Sequence, residues 1–191
     1  MIGKMYVTMM PVILAGVLNM CFVKTSLYQK WKMPMDNGKT GKDGKRLLGD
    51  NKTWVGFLGM IVFAMISQTV WGAVCKKWLQ GWNYIYDYQP NALPQNLLFG
   101  TLLGLAYVLF ELPNSFLKRR LDIPAGKTVS GAKGVVFFLI DQIDSLFGVG
   151  FVLACLYPMP VWQYVLYILL GAVTHIEVNF ILYNFKIRKN L

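Results

Sequence analysis

The sequence predicts an all-α integral membrane protein with about five transmembrane helices, its N-terminus outside, its C-terminus cytoplasmic, and two basic cytoplasmic loops. Three observations predict it. Of 191 residues, 55% are hydrophobic and only 15% charged. The charges fall in blocks between long apolar runs, unlike the even spread of a soluble domain. Lysine and arginine, finally, gather in alternate connections between the runs. A run must reach roughly 20 residues to cross the bilayer, because each helical residue rises about 1.5 Å and the hydrocarbon is about 30 Å thick.

The first span covers about 6–23. Lys4 ahead of an apolar stretch resembles a signal peptide, but no small-x-small cleavage site precedes Lys24, so the segment reads as a retained span. The second covers about 55–75. The third, about 97–112, is short, carries Gly100 and Gly104 in a GxxxG pattern for close helix packing, and runs into Pro113 and Asn114. It is expected to continue as a broken helix into the polar segment beyond, which is tolerated only where protein or water lines the backbone. The fourth and fifth cover about 134–156 and 161–182. Cys21, Cys75 and Cys155 all lie in spans and read as packing residues. With no internal repeat and no low-complexity linker, residues 1–191 read as a single membrane-embedded domain.

Orientation follows from the cations, which resist translocation in short loops. Eight lie between the first and second spans (Lys24, Lys30, Lys32, Lys39, Lys42, Lys45, Arg46, Lys52), five after the third (Lys118, Arg119, Arg120, Lys127, Lys133) and three at the C-terminus (Lys186, Arg188, Lys189). The opposite side holds Lys4, Lys76 and Lys77. The expected location is therefore the cell membrane, multi-pass, with the active site towards the cytoplasm. A net charge of +10 raises nucleic acid as a partner, but the basic residues border spans and share their loops with acids, which favours anionic lipid or a small polyanion instead.

The first loop, from Met33 to Trp54, combines four glycines with several cations and the acids Asp36, Asp43 and Asp50. Exposed backbone amides beside Lys and Arg suit the gripping of phosphate. The second loop places Lys118, Arg119 and Arg120 directly after a span, where they can hold a phosphate or a lipid headgroup. Gly38-Lys39-Thr40 and Gly126-Lys127-Thr128 imitate the end of a P-loop, yet Met33 and Leu121 stand where its first glycine belongs.

Asp141 and Asp144 interrupt the fourth span. Each costs at least about 2.5 kcal/mol at that depth, so a compensating partner is expected. Three residues apart, they share a helix face and can hold a divalent cation between them. Hard oxygen ligands beside phosphate-gripping cations point to Mg²⁺, bound through the two carboxylates and the phosphates of a nucleotide. In the fifth span His175, Asn179 and Tyr183 form one stripe, and Glu177 lies on another face as a further intramembrane acid. A different class of reading, a small cation or proton-coupled transporter using these acids, would require polar groups through the outer half of several spans too.

The residues resemble a known family. Pro34-x-Asp36-x-Gly38 followed by Asp43-Gly44-Lys45-Arg46-Leu47-Leu48-Gly49-Asp50-x-Lys52-Thr53-Trp54-x-Gly56 resembles the first cytoplasmic loop of the CDP-archaeol synthases, of the CTP:lipid-phosphate cytidylyltransferase superfamily. Ser115-Phe116-x-Lys118-Arg119-Arg120 and then Asp141-Gln142-x-Asp144 is similar to the signature shared with bacterial CDP-diglyceride synthases, and His175-x-x-x-Asn179-x-x-x-Tyr183 to the family's last helix. Two departures are Glu111-Leu112-Pro113-Asn114, where the family carries a Gly-Asp pair, and Val55, where an Arg often follows Lys-Thr-Trp. The resemblance implies that CTP and a lipid phosphate, phosphatidic acid or its archaeal ether analogue, give CDP-lipid and pyrophosphate with Mg²⁺. It also implies roles: Asp141 and Asp144 hold the metal; Lys118, Arg119, Arg46 and Lys52 neutralise phosphates; Ser115 donates a hydrogen bond. Asp36, Asp50 and Thr53 belong to the nucleotide site, with Asp36 and Asp50 positioning those cations or a second metal, and His175 with Asn179 orients the lipid head or a metal-bound water. Homo-oligomer formation is compatible with all of this.

Overall fold

The computed structural model describes residues 1–126 and 130–185. Lys127 of the second loop and the C-terminal Lys186, Arg188 and Lys189 lie outside the described residues. Five helices are long and apolar enough to cross a membrane: α1 (Ile2–Phe22), α3 (Trp54–Trp78), α5 (Leu93–Arg120), α6 (Gly131–Leu156) and α7 (Val161–Asn184). Two short helices, α2 (Ser26–Trp31) and α4 (Tyr84–Tyr88), sit in the connections. Exposed tryptophans, among them Trp31, Trp54, Trp78, Trp82 and Trp162, mark the ends of the bundle, where an amphipathic ring suits the headgroup layer.

The long helices pack in the order α1, α3, α5, α6, α7, and the last barely touches the first. Small residues set the approach distances. A β-carbon on Gly100 would lie 2.5 Å from the Met65 Cα, and one on Gly104 would lie 2.8 Å from the Ile61 Cα, so the GxxxG pattern seats α5 directly on the α3 backbone. Gly148 does the same between α6 and α5, where a β-carbon would meet the Ala106 carbonyl at 2.6 Å.

The third span differs from the sequence expectation. Instead of stopping near Leu112 and continuing as a broken helix, α5 runs 28 residues without interruption through Pro113. Proline forfeits one backbone hydrogen bond, but packing on both sides holds the turn helical, and Asn114 and Lys118 bond to α6 just beyond it. At about 42 Å, the helix outruns the hydrocarbon by some two turns. Asn114, Ser115, Lys118, Arg119 and Arg120 are therefore helical, and the second loop contracts to the residues after Arg120. Two cysteines differ as well: Cys75 is buried, but Cys21 and Cys155 are exposed on the apolar surface.

The first loop is a compact hairpin-like arch. Its ends are paired, with Met35 N donating to the Lys52 carbonyl (2.9 Å) and Trp54 N to that of Met33 (3.1 Å). Thr53 caps α3 by accepting from Gly56 N at 3.1 Å, and its hydroxyl meets the Tyr28 hydroxyl of α2 at 2.9 Å. The arch reverses at Asn37 and Gly38 (φ 48° and 78°) and at Gly44 (φ 73°), left-handed positions that explain the glycines of the motif. Among the described residues, Asp36 is its organising centre. It accepts from Arg46 Nε (3.1 Å) and Nη2 (2.7 Å), from Gly38 N (3.0 Å) and from Leu48 N (2.9 Å). Burial opposes its ionisation, but Arg46 and the two amides outweigh that and hold the carboxyl at about 2.

Candidate functional site

The arch and the end of α5 are tied together across the second loop. Lys45 Nζ pairs with Asp122 at 2.7 Å, Arg120 pairs with Asp43, and Gly49 N donates to Ser115 Oγ at 3.1 Å. Beneath this lid lies a cavity of about 550 Å³ that reaches from the loops down between the helices. Lys52, Thr53, Ser115, Lys118, Arg119, Asp141, Asp144, His175 and Asn179, nine of the residues singled out in the sequence, line it. Asp36, Arg46 and Asp50 do not. Arg46 uses its guanidinium to bridge Asp36 and Asp50 (2.7 Å each), so these three brace the arch from behind, and their mutual pairing holds Arg46 well above its ordinary pKa.

At the floor, α5 and α6 present their polar turns to each other. Asn114 donates both amide hydrogens, one to Asp141 Oδ1 and one to Asp144 Oδ2, each at 2.7 Å. Lys118, one turn further on, places its ammonium on both oxygens of Asp141. Asp144 also accepts from the Ser145 amide at 2.7 Å. The compensation expected for two intramembrane acids thus comes from a single turn of α5.

Two functional candidates escaped the sequence reading. Asn114 was seen only as a departure from the family pattern. Glu111, noted only in the same departure, lines the cavity and forms an ion pair with Lys52. Burial works against the Lys52 charge, but Glu111, with Asp144 and Asp141 beyond it, outweighs that and raises its pKa above that of an ordinary lysine. The signal for Glu111 was available: an acid seven residues from Lys118 and inside an apolar run needs a partner.

On the other wall, α7 docks its polar stripe on Gln142. His175 Nδ1 lies 3.1 Å from the Gln142 carbonyl, and Asn179 Nδ2 donates to Gln142 Oε1 at 3.1 Å. A carbonyl only accepts, so Nδ1 carries a proton towards it, and Nε2 lies 3.3 Å from the Tyr107 hydroxyl. Tyr183 and Glu177 lie on exposed faces of α7, so the stripe ends at Asn179.

The cavity brings Lys52 of the arch and Lys118 and Arg119 of α5 together with the carboxylates of α6. Among the described residues no three His, Cys, Asp or Glu side chains gather closely enough to hold a metal alone. The donor set is two carboxylates plus the Asn114 carbonyl oxygen, which is buried and has no hydrogen-bond partner among the described residues. Arg119 Nε is similarly buried and without a hydrogen-bond partner.

The model of the CarS-like CDP-archaeol synthase family matches residues 5–190. A CDP-archaeol synthase of Archaeoglobus fulgidus is 32% identical over 164 residues, 82% of each chain. One of Methanospirillum hungatei is 32% identical over 165 residues, 82% of this chain and 88% of that one. One of Pyrococcus furiosus is 38% identical over 98 residues, about half of each. A solved structure of an intramembrane enzyme for archaeal membrane lipids biosynthesis shares the fold, with a TM-score of 0.63, 23% identity and 92% of both chains covered. Matched along nearly its whole length, this multi-pass membrane chain belongs to the CDP-archaeol synthase family.

Proposed function

We propose that the protein transfers CMP from CTP to a membrane lipid phosphate, phosphatidic acid or its archaeal ether analogue, giving CDP-lipid and pyrophosphate, with the loop end of the bundle facing the cytoplasm. One observation carries the reading: a single cavity joins Lys52, Lys118 and Arg119 to the Asp141–Asp144 pair and continues into apolar helix surface. The excess of Lys and Arg in the arch and after α5 supports the orientation.

In the reaction an oxygen of the lipid phosphate attacks the α-phosphorus of CTP. A new P–O bond forms, the bond from the α-phosphorus to the bridging oxygen breaks, and that electron pair leaves on pyrophosphate. The attacking phosphate is already ionised near neutral pH, so the protein's contribution is alignment and charge. Lys52 and Arg119 oppose the polyphosphate from the arch side, and Lys118 stands where a phosphate at Asp141 comes within its reach. His175 and Asn179 hold α7 on Gln142 at the cavity wall. Asp141 and Asp144 fit Mg²⁺, which is ordinarily held by one or two carboxylates plus substrate phosphates, and the partnerless Asn114 oxygen fits the same role. When bound there, the ion supplies positive charge against the nucleotide phosphates.

The test is to supply purified protein with CTP, Mg²⁺ and ester or ether lipid phosphates and follow pyrophosphate and CDP-lipid. Asp144→Asn is expected to lower the rate by at least about 100-fold, the scale of losing one preorganised charge. Near-wild-type turnover by a folded variant would overturn the assignment.

A further inference from the structure

The cavity is too small for everything the proposed reaction brings to it. At about 550 Å³ it is the size of a pocket for one small molecule, and the nucleotide's phosphates need its polar end. The two long chains of a lipid phosphate must lie outside it, and only a lateral opening can let them do so while the headgroup reaches Lys118.

Among the described residues, the helix ring is loosest at one seam. Each neighbouring pair from α1 to α7 is well packed, but α7 and α1 barely meet. Both nevertheless line the cavity with one face. On α1 these are Ile13, Gly16, Val17 and Met20, at helical spacing, and on α7 they are Thr174, Val178 and Leu182. A β-carbon placed on Gly16 would find nothing within 4 Å, whereas one on Gly100, Gly104 or Gly148 would strike a neighbouring backbone. Gly16 therefore faces open space between two apolar stripes, not a helix contact.

A second groove, between α5 and α6, offers a competing route. Phe110, Leu117, Ile140, Ile143 and Phe147 line it, and Asn114 and Asp144 border it as they border the cavity. Those two helices are tightly packed, pinned at Gly148 and cross-linked by Asn114 and Lys118. A lipid passing there would have to part them and break the hydrogen bonds that hold both acids.

We infer that the seam between α1 and α7 is the lateral gate through which the lipid phosphate reaches the cavity, its hydrocarbon lying along the Ile13–Met20 stripe. The inference rests on the proposed reaction for the identity of the headgroup. An amphiphile with an anionic head and apolar chains matches what the cavity joins: cations at one end and the open stripe at the other.

Two measurements on the full-length protein test it. Gly16→Phe, which places a ring in the open space, should lower kcat/KM for a long-chain lipid phosphate by about tenfold, as for the loss of some two buried methylene contacts. A short-chain lipid phosphate and the affinity for CTP should be spared, and retained CTP binding shows that the variant is folded. Val62→Phe on the exposed face of α3 serves as the bulk control. Separately, a long-chain lipid phosphate with a diazirine near the middle of its chain should label wild-type α1 around Ile13–Met20 and α7 around Val178. Label concentrated on Ile140–Phe147, or a long-chain defect in Ile143→Phe and not in Gly16→Phe, would overturn the gate in favour of the α5–α6 groove. Photolabelling needs no turnover. Wild-type protein that labels at the seam but makes no CDP-lipid would instead refute the proposed reaction.

Discussion

The two ends of the bundle solve the problem of polar groups in oil differently. At the end remote from the arch, the groups that form networks are neutral amides and hydroxyls, and the ion pair there, Lys4 with Asp87, is partly exposed. Gln68 donates to Tyr86, Tyr86 to Asn96, Asn96 to Asn91, and Asn91 to the Gly72 carbonyl. Gln163, Tyr157 and Tyr167 form a second chain, and Tyr84 N donates to Thr8 Oγ1 at 2.9 Å. None of these residues lines either cavity described above. At the arch end the charged groups Lys52, Glu111, Lys118, Asp141 and Asp144 border a cavity, and one turn of α5, with Asn114 and Lys118, holds the two acids of α6. Amide and hydroxyl networks of the first kind act as glue. Charges of the second kind are retained at a cost in stability, which is the physical ground for the ligand site proposed above.

That contrast can be broken in order of expected effect. Lys118→Ala should cut turnover by about 100-fold, the scale of losing one aligned charge beside the reacting phosphates. Its unfolding temperature should fall as well, because the ammonium holds Asp141; removing both charges, Lys118→Ala with Asp141→Asn, should recover the melt but not turnover, and recovery of both would make the lysine a mere brace for Asp141. Gly100→Leu, which forces a side chain into the α3 backbone, should destabilise by about 3 kcal/mol or more, as overpacking does, and a thermal melt in detergent would show it. Tyr86→Phe removes one link of the remote network and should cost about 1 kcal/mol with the same kcat, a difference readable by the same melt and a turnover assay. A kcat change there would erase the distinction between the two ends.

The smallest effect is a pH dependence of the arch. Asp36 has its folded pKa depressed to about 2, so its stabilisation is complete above its ordinary value of 3.8 and fades as pH falls through about 2. Hydrogen exchange at Gly38 and Leu48, whose amides it holds, should therefore accelerate between about pH 4 and 2 beyond the intrinsic trend. Asp36→Asn should show that acceleration already at neutral pH.

Much of this was legible in the chain itself, for identifiable reasons. Five spans follow from length and apolarity, and a carboxylate pair in an apolar run announces itself through the cost of burying it. Pro113 was misleading because the rule for a soluble helix predicts a break, while tertiary bonds from Asn114 and Lys118 keep the turn intact. The arch was legible as a motif but not as a division of labour. Spacing shows that Asp36, Arg46 and Asp50 travel with Lys52, but not that the first three bond to one another while the fourth points inward. Asn114 was hidden because its importance depends on which helix it faces, fixed only when α5 packs on α6; Glu111 was legible as an acid in need of a partner, but not that Lys52 of the arch supplies it.

The unbroken course of α5 carries one more implication. The same rigid rod bears Gly100 and Gly104 on the α3 backbone, Asn114 and Lys118 on the acids, and Arg120 on the arch. With few joints along its length, a tilt imposed anywhere is transmitted as a displacement everywhere. The spacing between ammonium and carboxylate is thereby geared to how the rod leans, much as the jaw of a wrench follows its handle.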